Sequence, residues 1–314
     1  MIDGHGHEAR TPVAVPAPGW WDILKRTYSE AAQDNLGLIS AGVAFYAFLA
    51  LIPLLAALVL AYGLFVDPAD VTRHMRAVTT MVPADAAKLI DDQLAAVVTT
   101  ASGKKGFGLL LSLLLSLYGA MKGAGAVVIA LNVAYEEQET RGIIRGTLLN
   151  AAITVGALAV ALAGLLAASA TGFVEDLAAR LSPEAATAIK YLSWVVAAAT
   201  ASAAVAVLYR YAPDRNDARW SWLTPGSVIA TLGWIIMTFG FGYYAAHFGN
   251  YNATYGALGA VVVLLMWLYL SAYVLLLGAE LNSELEHQTA CDTTVGGDKP
   301  LGSRRATMAD EVAS

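Results

Sequence analysis

Six long apolar stretches, at about 36–66, 107–133, 147–172, 189–211, 224–247 and 256–281, divide the chain between polar segments. Each reaches the roughly 20 residues that a tilted helix needs to cross a hydrocarbon layer, so six transmembrane helices are predicted. Pro53 interrupts the first; it removes a backbone donor and crowds the preceding turn, which predicts a kink near mid-membrane. Ahead of the spans, Trp21, Leu24, Tyr28, Ala31 and Ala32 recur at helical spacing, with Asp22, Lys25, Arg26, Ser29 and Glu30 falling elsewhere. That pattern suits an amphipathic helix lying in the membrane interface, with a plain surface helix as the alternative. In the segment 67–106, Asp67-Pro68 and Val82-Pro83 are helix-start signals, and Leu89, Ile90, Leu94, Val97 and Val98 form an apolar stripe. Two short helices capping the outer face are expected there.

The fold class expected is therefore an all-α integral membrane protein: a six-helix bundle, an N-terminal interfacial helix and a helical extracytoplasmic loop. The polar stretches 1–19 and 287–314, rich in Gly and Pro or simply polar, are expected to be disordered tails around one membrane domain at 20–286. The first carries neither the apolar run nor the cleavage pattern of a signal peptide.

Composition agrees with the spans. At 57% hydrophobic and 14% charged, the 314-residue chain lies far from the usual globular balance of about a quarter charged residues. A net charge of -6 leaves no basic surface for a phosphate backbone, so nucleic acid is not an expected partner, whereas membrane lipids are. The single Cys291 permits neither a disulfide nor a cysteine-based zinc site. An even number of spans puts both termini on one side. Of 19 Lys and Arg, eleven fall on that side and seven on the other, with Lys122 inside a span, which assigns the termini to the cytoplasm.

Candidate chemistry is sparse. Lys122 sits near the centre of the second span, where a lysine costs about 2.5 to 3.5 kcal/mol on insertion scales. It could attract an anionic solute or lipid headgroup, pair with a carboxylate, belong to a proton relay, or snorkel to water. Asp34, Asn132, Tyr135, Arg210 and Glu280 all project to the cytoplasmic ends of their helices. They could form a ring in which Arg210 bridges Asp34 or Glu280, or a set of helix caps and interfacial ion pairs. On the outer side, Tyr243, Tyr244, His247, Tyr251, Asn252 and Tyr255 surround the last short turn, as an aromatic belt or an outer rim. Gly119 and Gly123 form a small-xxx-small pair suited to close helix packing, to a dimer face or to a substrate groove. The five histidines show no zinc spacing, and no Walker or G-x-S-x-G motif occurs, so no metal, cofactor or enzymatic activity is expected.

Four segments, taken in order, resemble the YihY/BrkB family of bacterial inner-membrane proteins, once misnamed as ribonuclease BN. They are DNLGLISAGVAFYAFLALIPLL from Asp34, ALNVAYEEQETRG with Asn132, Tyr135 and Arg141, LYRYAP with WLTPG, and the closing YNATYGALGAVVVLLMWLYLSAYVLLLGAELN. The resemblance spans about Trp20 to Glu286. It implies six spans, cytoplasmic termini, a bacterial inner-membrane location and a role as transporter or exporter, with links to envelope lipids and virulence. Lys122 is not carried over from the family. An anionic or amphipathic substrate, lipid among them, is the first expectation and a non-transporting envelope scaffold the alternative; ribonuclease activity is not expected, because no acid-base or metal constellation accompanies the motif set.

Overall fold

A computed structural model describes residues 4–62, 107–179, 182–248 and 257–313. Among these residues the regular secondary structure is helical, joined by turns and irregular segments, apart from one isolated bridge between Ala218 and Thr294. A leading helix α1 (Ala17–Gln33) is followed by α2 (Leu36–Tyr62), α3 (Phe107–Ala134), α4 (Ile143–Ala179), α5 (Pro183–Tyr211), α6 (Trp220–Phe248) and α7 (Ala257–His287); a short α8 (Thr307–Asp310) closes the chain. The helices α2 to α7 contain the six segments long and apolar enough to cross a membrane. The predicted helices at 67–106, together with Tyr251, Asn252 and Tyr255, lie outside the described residues.

Each span packs on the next in chain order, and α7 returns to α2, closing a ring. The largest buried cluster lies at the end that carries the termini. It joins Leu36 and Val43 of α2, Val128, Ala130, Leu131 and Ala134 of α3 with Tyr135 just after it, Tyr209 of α5, Leu223 and Ala230 of α6, and Ala272, Leu276 and Ala279 of α7. Small residues set the closest approaches. A Cβ on Gly119 would lie 3.0 Å from the Pro53 ring and one on Gly123 would lie 2.9 Å from Ala50 Cβ. The small-xxx-small pair thus seats α3 on α2 at Pro53, within one chain, and α2 stays helical on both sides of that proline.

The helix α1 begins on Pro16 and Pro18 and buries Gly19, Ile23, Thr27 and Ala31 against its neighbours, chiefly α7. Trp21, Leu24 and Tyr28, expected to share an apolar face with Ala31, are exposed instead. The spacing predicts the helix but mixes two of its faces: Gly19 lies under His5 and Val15, and Ile23 packs with Trp222, Leu281 and Leu285, so the bulky aromatics are left on the other side.

Both tails depart from the expectation of disorder. Ala290 N–H donates to His7 O at 2.8 Å, Gln288 Nε2 to His5 O at 2.7 Å and Thr289 Oγ1 to Ala9 O at 2.7 Å. Arg219 N–H donates to Thr293 O, Val295 N–H to Asp217 O and Asn216 N–H to Arg305 O. Arg304, 2% exposed, donates side-chain hydrogen bonds to the carbonyls of Lys299, Cys291, Ala309 and Ala290. A low-apolar sequence cannot order itself by burial alone, but here each segment satisfies the other's backbone groups, and Ala9 and Val15 join Ile23, Trp222, Leu281 and Leu285 in a small apolar cluster.

Candidate functional site at the terminal end of the bundle

Two helix ends that frame this region are closed by left-handed residues other than glycine. Asn35, at φ 53°, turns the chain between α1 and α2, and Glu136, also at φ 53°, ends α3. Asn tolerates this conformation because its short amide bonds locally, here to Gln33 O at 3.0 Å. The two turns carry Asp34 and Tyr135 to the same end of the ring, facing the last turns of α7.

Asp34 and Glu280 lie within hydrogen-bonding reach of one another, carboxyl to carboxyl. Asp34 is half-buried, and its loss of water raises its pKa above the ordinary 3.8. Glu280 is 2% exposed, and its Oε1 has no hydrogen-bond partner among the described residues. Glu30 and Glu136 stand close by; burial first, then neighbouring carboxylates, push both above 4.5.

A second assembly surrounds Tyr135, which is fully buried. Burial drives its phenol pKa upward, and the guanidinium of Arg215 lies 5.0 Å from the ring centre. Arg215 Nη2 donates to Glu286 Oε2 at 2.6 Å, and Thr293 Oγ1 donates to the same oxygen at 2.6 Å. Asn132 braces two connections, since its Nδ2 donates to Glu139 at 2.9 Å and its Oδ1 accepts from Asp214 N–H at 2.8 Å. Arg141 holds Glu139 with two bonds of 2.7 Å and donates to Ala212 O at 2.8 Å. Together they tie the α3–α4 connection to the α5–α6 connection.

Arg210 bridges neither Asp34 nor Glu280. Its guanidinium lies 4.5 Å from the Trp220 ring centre and 5.4 Å from that of Tyr211, with Asp217 at 3.6 Å. Aromatic faces in its own neighbourhood hold it, so the expected ring splits into the Asp34–Glu280 pair, the Tyr135 assembly and this stacked arginine.

Lys122 does not line the inside of the ring. It is exposed at the midpoint of the span Leu110–Ala134, in a stripe with Leu111, Leu115, Tyr118 and Ile129, and its ammonium lies 6.0 Å from the Tyr118 ring centre. Helical phase explains the position: Gly119 and Gly123 claim the α2 side and Gly125 meets Asn150 of α4, leaving residues 115, 118 and 122 to face outward. On the far side, His247 Nδ1 donates to Tyr243 O at 2.9 Å and its ring stacks on that of Tyr243 at 4.1 Å, while Tyr244 is exposed and stacks on Phe241.

One junction had no signal as chemistry. Asn282 Oδ1 accepts from Gly226 N–H at 2.7 Å and its Nδ2 donates to Leu223 O at 3.0 Å, serving backbone groups beside Pro225 inside α6. Tyr209 donates to Leu275 O at 2.5 Å. Gly278 lies against both the Tyr209 hydroxyl and Gly226 O, so the segments LYRYAP, WLTPG and GAELN form one contact.

The family model described as Virulence factor BrkB matches residues 27–300. The Bacillus subtilis (strain 168) protein YfkH, whose name describes it as ribonuclease-like, is 31% identical over 274 residues, covering 84% of this chain and 94% of its own. No solved structure matches. With a match reaching from within α1 to the C-terminal segment and six apolar helices closed into a ring, this chain is a multi-pass membrane protein of the BrkB family.

Proposed function

We propose that this protein moves an anionic, lipid-like substrate across a bacterial inner membrane, with both termini in the cytoplasm. The observation that carries this reading is the outward position of Lys122 at mid-span. A lysine at that depth costs about 2.5 to 3.5 kcal/mol. Its contact with Tyr118 returns about 0.5 to 1 kcal/mol, as an exposed cation–π pair does. An anionic headgroup travelling along the α3 stripe offsets the remainder, which makes the lysine a waystation for a lipid phosphate. The excess of Lys and Arg on the termini side supports the orientation. Trp21, Leu24 and Tyr28, exposed on α1, are the surface that would rest in the membrane interface on that side.

The charge at the terminal end speaks against a ribonuclease. Glu30, Asp34, Glu136 and Glu280 gather there, while Arg26, Arg141 and Arg215 are already paired with Glu284, Glu139 and Glu286, which leaves little free positive charge for a phosphodiester backbone.

The test is reconstitution of the full chain into liposomes containing a fluorescent anionic phospholipid, with movement between leaflets scored by a membrane-impermeant quencher. Wild type should move the lipid, Lys122→Arg should keep part of the rate, and Lys122→Met should lose most of it. A wild-type rate equal to that of protein-free liposomes overturns the transport reading in favour of a non-transporting scaffold.

A further inference from the structure

We infer that Asp34 and Glu280 form a proton-binding site, in which one proton is shared between two facing carboxyls and can be exchanged with water at the terminal end. Two carboxylate oxygens repel at hydrogen-bonding range, and a proton between them turns that repulsion into a bond. Their closeness therefore calls for one. A second observation points the same way: Glu280 is 2% exposed and its Oε1 has no hydrogen-bond partner among the described residues, an arrangement far less costly for a neutral acid than for a buried anion.

The surrounding charges leave the pair to itself. From α1, Arg26 is taken by Glu284 at 2.5 Å and by Gln288 at 2.5 Å, while Glu30 adds negative charge. From α3 and its end come neutral Tyr135 and anionic Glu136; from α7 come Glu284, Glu286 and His287, the last 3.6 Å from Glu284. Arg215 is held by Glu286 at 2.6 Å. Among the described residues, neither Asp34 nor Glu280 has a cationic partner, and no group of three or more acidic, His or Cys side chains is arranged to hold a metal ion.

The site also has a way in. Glu136 is exposed, Glu30 and Asp34 are half-buried and Glu280 is enclosed, so carboxyls step from water into the bundle. The raised pKa values of Glu30, Asp34 and Glu136 make this row easy to protonate. Asp34 sits at the α1–α2 turn and Glu280 on α7, so release of the proton leaves two charges that push these elements apart. Resting on the transport reading above, this makes the proton the coupling ion, and its loss the event that loosens the terminal end.

Infrared difference spectroscopy of the full chain in lipid nanodiscs, in the carbonyl region of protonated carboxyls, tests the site without a substrate. Wild type should show one such band at neutral pH that disappears on alkaline titration and that Glu280→Gln lacks. Asp34→Asn removes the like charge and offers an amide donor, so its band should titrate lower by about one pH unit or more. This variant changes a half-buried turn, so it carries the test even if Glu280→Gln does not fold. Wild-type and Glu280→Gln spectra that superimpose at neutral pH, a band unmoved in Asp34→Asn, or a wild-type band abolished by sodium at constant pH each overturn the proton site. The coupling is read separately, from fluorescent-lipid movement with and without an imposed pH gradient. A titrating band with no lipid movement at all overturns the transport reading and leaves the site; movement indifferent to the gradient overturns the coupling.

Discussion

Arg215, in the connection between α5 and α6, pairs with Glu286 at the end of α7 at 2.6 Å, with side chains 2% and 0% exposed. Burial alone would favour the neutral arginine, but the adjacent glutamate holds it charged. Removing one partner of such a pair strands the other, at about 3 to 5 kcal/mol. Arg215→Met should therefore lower the unfolding temperature in detergent markedly, and so should Glu286→Leu. The double variant should recover much of the loss, because two apolar chains replace two desolvated charges. Additive losses in the double variant would mean that the pair is not a unit.

Gly226 and Gly278 allow α6 and α7 to touch. A Cβ on Gly226 would sit 2.1 Å from Gly278 O and 2.5 Å from the Asn282 side chain. Backbone cannot yield as a side chain does, so Gly226→Ala should force the helices apart and destabilise by about 1 to 3 kcal/mol. Gly240, in the same helix, has nothing within 4 Å, and Gly240→Ala should be neutral or slightly stabilising. Equal thermal stability of the two variants would contradict the close contact.

Much of this was legible in the sequence, for a physical reason. Length and hydropathy alone define a span, so six helices and the seating role of Gly119 and Gly123 could be read from local pattern. Asp34 and Glu280 were visible as polar groups at helix ends, but their pairing was not, because it depends on α7 returning to α2. Arg210 illustrates the opposite failure. Its charge suggested an acidic partner across the ring, whereas Trp220, ten residues on, provides an aromatic face that no charge pattern shows. The tails were misread for the same reason: Arg304 finds its acceptors in carbonyls, and carbonyls carry no sequence signal.

Lys122 gives a prediction about insertion. Lys122→Met removes a cost of about 2.5 to 3.5 kcal/mol and forfeits about 1 kcal/mol or less of contact with Tyr118. Membrane insertion efficiency should stay equal or rise, and thermal stability should not fall. A clear loss of stability would show that the ammonium anchors the packing of α3.

The C-terminal segment should unlock as a unit. Arg304→Ala leaves the carbonyls of Ala290, Cys291, Lys299 and Ala309 without their donor. Each hydrogen bond to a charged group contributes about 1.5 to 3 kcal/mol, enough in combination to free residues 290–313. Limited proteolysis read by mass spectrometry should find new cuts there, with the unfolding of the spans unchanged. Protection equal to wild type would contradict the role given to this arginine.

Stability should peak on the mildly acid side of neutrality. Asp34, Glu30, Glu136 and Glu137 have pKa values raised by burial above their ordinary 3.8 or 4.5. Between those ordinary values and the raised ones the folded chain binds more protons than the unfolded chain, so stability increases as pH falls through that window. Glu139, Asp214 and Asp292 behave oppositely. Hydrogen bonds from Arg141 hold Glu139 low; in Asp214 and Asp292, burial is outweighed by bonds from Thr140 and from Thr294 and Lys299. Their contribution is present above 3.8 to 4.5 and is lost as pH drops through their lowered values, so the curve must turn down again in stronger acid. Unfolding temperature measured from neutral to strongly acid pH should therefore rise and then fall. Glu136→Gln, which removes one exposed member of the raised group, should flatten the rise and leave the fall in place. A temperature that only declines on acidification would mean that the carboxyls at the terminal end are not crowded as described.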